Sequence, residues 1–411
     1  MKKTIVLITN TFPYSPGEEF LETEIKYWAK RDDIELIIMP KRSNGTPRDL
    51  PDNITIDTLL CSKQNKNKNN LKSIIGILTS KLFYKEMYNN KILNPAVLKH
   101  TIIAMRDFIF YRGLFREYLA QYSNKEILFY SYWHTEVCYA LQALKADNHN
   151  IKIVSRIHGY DLYQERKAYN YMPLKKQFLN NIDKIYTISE TGTQYLTDTY
   201  GYEPNIVEVS RLGVEDRQIV TTKSKSNTLH LVSCSYLSQV KRIDKIIESL
   251  SLLASKNPNI NYVWTHIGDG DLYTELLKIA NQKFNGLPNI NFEFRGHLDN
   301  QNVYQFYKNN NIDVFINVSE SEGAPVTIME AMSCHIPIVA PDVGGISEMV
   351  LDGINGVLLS SECAINEIVN ALNNTEFYKS KKTRDNAYNM FEEQYSAESN
   401  YRAFIDKVEK I

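Results

Sequence analysis

The residues best suited to chemistry lie in one stretch, 319–332, which reads Ser-Glu-Ser-Glu-Gly-Ala-Pro-Val-Thr-Ile-Met-Glu-Ala-Met. The apolar run before it, residues 314–318, has the length and residue types of a buried strand. Gly323 and Pro325 make a turn, and Pro325 suits a first helical position, where its missing N–H would have no intrahelical partner. A strand, a glycine turn and a helix start leave backbone N–H groups free for an anion, here around Gly323, Ala324, Val326 and Thr327. Two carboxylates, Glu322 and Glu330, flank that anion site. A phosphate would repel them, so they fit better as acceptors for sugar hydroxyls. Together these features point to a pocket for a nucleotide sugar.

Such a pocket must be positioned by strands, and the chain supplies two series of them. In the first half, apolar runs at 5–8, 34–39, 127–132, 151–157, 184–188 and 206–210 read as strands, with helical spacing over 18–30. Their C-terminal ends deliver Gly17, Trp133-His134, His158-Gly159-Tyr160-Asp161 and Arg211, at the strand ends where ligands bind in open α/β sheets. Residues 71–122 are helical in pattern, and 62–72, rich in Asn and Lys, read as an exposed mobile loop. Apolar residues at 74, 75, 77, 78, 82 and 83 alternate with Lys72, Lys81 and Lys85, a pattern that fits a helix packed on its own domain or one lying on an anionic bilayer.

Residues 221–228 are polar and lack apolar periodicity, so they read as a linker. The strand pattern then restarts at 229–234, 262–267, 290–295, 314–318 and 336–340, the second and third ending in Gly268-Asp269-Gly270 and Gly296-His297. The expected fold is α/β, with two Rossmann-like doubly wound domains facing across a cleft. Residues 1–220 form the first, 229–395 the second, and a C-terminal helix over 396–411 packs back on the first domain.

Bulk properties exclude several classes. With 47 basic against 48 acidic residues, no excess positive charge is available for nucleic acid as the main partner. Five scattered cysteines without a CxxC pair imply reduced thiols in a cytoplasmic protein, not a zinc site or a disulfide framework. The apolar start of the chain is too short for a signal peptide, and no stretch approaches the ~20 apolar residues of a membrane span. No G-x-S-x-G nucleophile elbow or phosphate-binding lysine loop occurs.

At this point the sequence resembles the retaining, nucleotide-sugar-dependent glycosyltransferases of family four, which have the two-domain GT-B architecture. Glu322 and Glu330 match that family's Glu-x7-Glu signature, Lys241 falls at its phosphate-binding lysine, and Gly268-Asp-Gly270 and Phe294-Arg-Gly296-His297 match two further turns. In the first half, His158-Gly159 with Asp161 looks like the pair that lies against the donor sugar. Residues 16–22 resemble the first glycine loop of bacterial polysaccharide-assembly enzymes, with Gly17 as its one glycine. One departure stands out: Ser235-Tyr236-Leu237 replaces the usual Gly-Arg-Leu, which removes the arginine partner of Lys241 and leaves Arg242 as the neighbouring cation.

The resemblance implies transfer of a sugar from a nucleotide-diphosphate donor to a hydroxyl acceptor with retention, the acceptor being a lipid-linked saccharide in cell-surface polysaccharide assembly such as capsule. It implies His158, Lys241 and Glu322 as catalytic residues. Gly17, Arg211, Gly268, Gly270, His297, the 323–327 turn and Glu330 hold the donor, and Glu330 takes its ribose. His134 and Asp161 are acceptor-side candidates. It implies no cofactor and no metal, with peripheral contact at the inner face of the cell membrane. A GT-B epimerase or phosphorylase, and a non-catalytic sugar-binding relative, remain the rival readings.

Overall fold

The computed structural model describes residues 2–67, 71–122, 126–147 and 150–411. The chain forms two compact units, Met1–Ser210 with Tyr401–Ile411, and Arg211–Asn400. The first is built on a seven-stranded parallel sheet in the order Ile54–Ile56, Ile34–Pro40, Lys3–Thr9, Ile127–Ser131, Ile151–Ile157, Lys184–Thr187, Val207–Val209. The second is a six-stranded parallel sheet in the order Ile290–Phe294, Asn261–Ile267, Thr228–Cys234, Val314–Ile316, Ile338–Pro341, Gly356–Leu359. In both, the chain starts in the middle, steps to one edge, then returns beside its first strand. That reversal creates a crevice at the C-terminal ends of the first and fourth strands, the usual ligand position in such sheets.

Strands with continuous apolar runs, such as Ile127–Ser131, are covered by helices on both faces and wholly buried. In the first unit, helices Leu71–Leu78 and Lys81–Asn89 pack on the long helix Pro95–Gln121. The C-terminal helix Ala397–Glu409 begins in the second unit and finishes in the first. There Phe404 caps a buried ion pair: its ring lies 4.1 Å from the Arg156 guanidinium, which faces Glu24 at 3.7 Å, and both charged side chains are fully buried.

Four expectations from sequence are corrected. The stretch 62–72, expected as a loop, is helical over Leu59–Asn67 and again from Leu71, and its residues 68–70 lie outside the described ones. The segment 221–228 is polar because its groups are bonded into the second unit. Lys379 donates to the carbonyls of Lys225 and Thr228 at 2.7 and 2.6 Å, Arg384 to that of Thr221, and Asp313 accepts from Ser224 N–H at 2.9 Å. The change of unit falls instead at Ser210/Arg211. The helix expected from residue 18 runs over Leu21–Trp28, with Glu18 outside it at φ 57°. Pro325 is the N-cap, not the first helical residue; the helix is Val326–Ser333, and the Pro325 carbonyl accepts from Ile328 N–H at 3.1 Å.

Candidate functional site

In the second unit, the crevice between the first and fourth strands is formed by two loops, 235–242 and 317–325. Asn317 turns the second loop: its side-chain oxygen accepts from Ser319 N–H at 2.8 Å while its amide donates to Glu322 Oε1 at 3.2 Å. Arg242, in the left-handed region at φ 48°, fastens the loops together. Its guanidinium donates to the carbonyls of Val318 (2.6 Å), Ser319 (2.9 Å), Ser361 (3.2 Å) and Glu362 (3.3 Å). This staple leaves Arg242 no role as a stand-in for the missing arginine. The position of that arginine is filled by Tyr236, whose exposed hydroxyl donates to Asp271 at 3.0 Å.

The fastened loops place Lys241 Nζ 2.6 Å from Glu322 Oε1. Glu322 is nearly buried, and burial alone would push its carboxyl up. The Lys241 charge and the hydrogen bonds from Lys241, Ser319 and Asn317 outweigh it, so the carboxyl lies below the usual glutamate range and Glu322 is an anion. Close glycine contacts fix the surroundings. Gly344 (φ 58°) lies against the Glu322 carbonyl, where a Cβ would come within 2.0 Å, and Gly345 N–H donates to Gly323 at 2.7 Å. Gly268 (φ 141°) presses the end of its strand on Ser235, where a Cβ would meet the carbonyl at 1.9 Å. Gly270 packs on Leu237, where a Cβ would meet the backbone at 2.6 Å.

Glu330 lies on the helix that starts behind Glu322, and it is the second buried acid. Burial pushes its carboxyl up to about 7, against the opposing effects of the Asn300 side-chain amide, which donates to it, and of the Arg217 charge. Ala324 is buried, and Val326 and Thr327 provide the first N–H groups of the helix, ahead of its first intrahelical bond. Arg211 is not with these groups: it pairs with Glu348 at 3.0 Å. His297 is exposed, next to Gly296, whose carbonyl accepts from Gly268 N–H at 2.8 Å.

In the first unit, His158 sits at the end of strand Ile151–Ile157 within an aromatic cage. Ring centroids of Tyr132 and Trp133 lie 4.7 Å away and that of Phe20 6.2 Å. Both ring nitrogens are buried without a hydrogen-bond partner. Burial, helped by the Arg156 charge, holds the imidazole well below its usual pKa, so it is neutral. Asp161 and His134, expected on the acceptor side, have structural tasks. One Asp161 oxygen accepts from His158 N–H at 2.7 Å and the other from His134 N–H at 2.6 Å, which clips two neighbouring strand ends together. The His134 ring is buried and bonded to the Tyr202 hydroxyl at 2.8 Å.

Glu18, which the sequence did not single out, organises the loop after the first strand. Its carboxylate accepts from the N–H groups of Asn10 (3.0 Å), Thr11 (2.6 Å) and Phe12 (2.7 Å) and from Trp133 Nε1 (2.5 Å). Gly17, at φ 110°, makes the turn that folds Glu18 back on that loop. Asn300 and Gly344 were likewise unmarked, since each acts through a partner remote in sequence, and so was Asn317, which lies within an apolar run.

Residues 214–390 match the family model described as glycosyl transferases group 1. The O-antigen biosynthesis glycosyltransferase WbnH of Escherichia coli is 27% identical over 215 residues, 52% of this chain and 57% of that one. The UDP-N-acetylglucosamine–peptide N-acetylglucosaminyltransferase GtfA subunit of Streptococcus parasanguinis is 29% identical over 175 residues, 42% of this chain and 31% of that one. The chain thus spans about half the length, or less, of these curated relatives. Two solved structures superpose over nearly the whole chain. The lipopolysaccharide outer core galactosyltransferase WaaB has a TM-score of 0.69 at 15% identity, covering 98% of this chain and 99% of that one. Anabaena HepE in complex with UDP and glucose has a TM-score of 0.64 at 15% identity and covers 99% of both chains. The fold of the chain is GT-B.

Proposed function

Starting from a GT-B chain that carries a group 1 glycosyl transferase domain over residues 214–390, we propose that it moves a sugar from a nucleoside diphosphate sugar to a hydroxyl of a saccharide acceptor, with retention of the anomeric configuration. The observation that carries this reading is the Lys241–Glu322 pair at the topological switch point of the second sheet, with buried Glu330 on the helix behind it.

The chemistry follows from charge. Breaking the bond to a nucleoside diphosphate leaves roughly two negative charges on the departing group, and these must be met as they grow. Lys241 and the N–H groups of Ala324, Val326 and Thr327 meet them, so no metal is needed. Glu322 shares Lys241 until the diphosphate arrives. It then turns its acceptor oxygens to hydroxyls of the transferred sugar, while Glu330 holds those of the ribose. A glutamate bonded to a lysine and an asparagine is a weak nucleophile, which favours departure and attack on one face of the sugar. There the leaving phosphate takes the acceptor's proton. The neutral His158 ring, with two unpartnered nitrogens, offers a hydrogen bond to a sugar hydroxyl without adding charge.

Relatives named for O-antigen biosynthesis support an acceptor built into cell-surface polysaccharide, and the first unit carries a surface suited to a lipid-linked one. Ile74, Ile75, Leu78, Tyr84, Tyr88, Ile102 and Ile103 are exposed, as are Lys81, Lys85, Lys91 and Lys99. The sole acid among residues 74–105 is Glu86, which is buried. Apolar side chains among lysines suit peripheral contact with an anionic bilayer. Among the described residues no helix is long and apolar enough to cross one. Sedimentation with vesicles containing anionic lipid should capture the chain, and Lys81→Glu with Lys85→Glu should release it. Equal capture by neutral vesicles would remove the electrostatic part of this reading.

The decisive experiment incubates the chain with UDP-, GDP- and ADP-sugars, with and without a lipid-linked saccharide, and follows the anomeric proton by NMR. Acceptor-dependent formation of a retained glycoside is expected. Conversion of donor in the absence of acceptor, with no glycoside when acceptor is present, would identify an epimerase instead.

A further inference from the structure

A cavity in the first unit is lined by residues other than the strand-end ones described above. With a volume of about 510 Å³, it opens between the end of helix Lys81–Asn89, the turn that follows it, and the irregular segment 164–176. Its volume is that of a small-ligand site. Its walls combine an exposed aromatic face, Tyr169, with the side-chain amides of Asn90, Gln164 and Asn170. Aromatic rings receive the C–H faces of sugars, and amides both donate to and accept from hydroxyls.

The exposed charges of the cavity have one sign. Lys91 and Lys176 line it and are exposed. Its acid, Glu86, is 2% exposed and already satisfied: it accepts from the Tyr171 hydroxyl at 2.6 Å, Leu174 N–H at 2.9 Å and the Gln177 amide at 2.6 Å. A ligand therefore meets two ammonium groups with no free carboxylate opposing them. The walls are also held in costly conformations. Tyr169 (φ 64°) and Asn170 (φ 49°) lie in the left-handed region, which residues with side chains seldom adopt. Strain of this kind persists where the surrounding structure fixes it, and it concentrates at ligand sites. Here the Glu86 bonds to Tyr171 and Leu174 fix the segment from below.

We infer that this cavity binds a saccharide carrying a phosphate, with the sugar against Tyr169 and the amides and the phosphate between Lys91 and Lys176. If the chain is the transferase proposed above, this is the sugar-phosphate end of its acceptor; only that role, not the binding itself, rests on the transferase reading. Leu93, which also lines the cavity, is 92% exposed and gives an attached lipid an apolar exit.

The test is ligand-observed NMR titration of the full chain with glucose 1-phosphate, glucose and inorganic phosphate, with UDP binding followed in the same samples. Glucose 1-phosphate should bind about tenfold or more tightly than either fragment. Lys91→Ala with Lys176→Ala should abolish its advantage over glucose, and Tyr169→Ala its advantage over phosphate. These side chains are exposed, so the variants should keep the wild-type circular dichroism and UDP affinity. Equal binding of inorganic phosphate and glucose 1-phosphate, or unchanged titrations in the variants, would overturn the proposal. Loss of UDP binding alone would count against the transferase reading and leave the cavity standing. Absence of glucose 1-phosphate binding beside normal UDP binding would remove the cavity alone.

Discussion

With Tyr236 turned to Asp271 and Arg242 committed to four carbonyls, Lys241 is the ammonium held against Glu322. Lys241→Ala removes a charge-assisted bond worth ~1.5–3 kcal/mol and should lower kcat roughly ten- to a hundredfold; steady-state kinetics with the preferred donor provide the check. The second residue-scale prediction concerns Glu330. Its folded pKa of about 7 lies above the ordinary value, so the folded state holds this proton more tightly than the unfolded chain. Its contribution to stability is complete below about pH 4.5 and is lost as pH rises towards 7, by up to about 3 kcal/mol. Urea unfolding should show that loss in the wild type and lack it in Glu330→Gln. If ionised Glu330 holds the ribose, UDP-glucose affinity should climb about tenfold from pH 6 to pH 8 in the wild type alone.

At the scale of elements, Asp161 illustrates what a sequence can and cannot reveal. Its spacing from His158 and its place at a strand end were legible, but its bonds to two backbone N–H groups were not. A carboxylate beside a cleft and a carboxylate clipping two strand ends look identical until the fold brings His134 to it. Asp161→Ala should cost about 3 kcal/mol through two lost buried bonds, seen as a lower urea midpoint, while UDP affinity stays near wild type. The inner strands were legible because a sheet covered on both faces demands unbroken apolar runs, whereas the short, partly exposed edge strands Ile54–Ile56 and Gly356–Leu359 were missed. The segments 62–67 and 221–228 were not legible, because polarity alone does not distinguish a loop from a helix or from a strap bonded to buried lysine and arginine. The 322–330 pattern was legible because its spacing is local, and Lys241 was marked by the resemblance and not by its spacing from Glu322. Asn300 and Gly344 depend on partners distant in sequence and left no local mark, and Glu18 bonds mainly to a loop six to eight residues before it through a turn that its residue types do not announce.

At the scale of the molecule, the two units carry separate cores, and a probe in one should report on it alone. Phe404 packs among Trp28, Tyr130 and Tyr186, with centroids 5.1–6.1 Å apart, above the buried Arg156–Glu24 pair. Phe404→Ala should destabilise the first unit by about 3–5 kcal/mol and leave unfolding of the second unchanged. Native-state hydrogen exchange resolves the two, with faster exchange expected in strands Lys3–Thr9 and Ile151–Ile157 only.

Because residues 401–411 complete the first unit, Arg211–Asn400 is in effect an insertion within it. On a ribosome adding 5–20 residues each second, the first sheet must wait on the order of ten to forty seconds, while the insertion is made, for the helix that covers Arg156. Throughout that interval the aromatic surface around Trp28 and Tyr130 lies open, the kind of surface that chaperones bind. A fragment ending at Ser210 would keep that surface open permanently. Making the first unit by itself calls for a rearranged gene that joins codons 401–411 directly after codon 210.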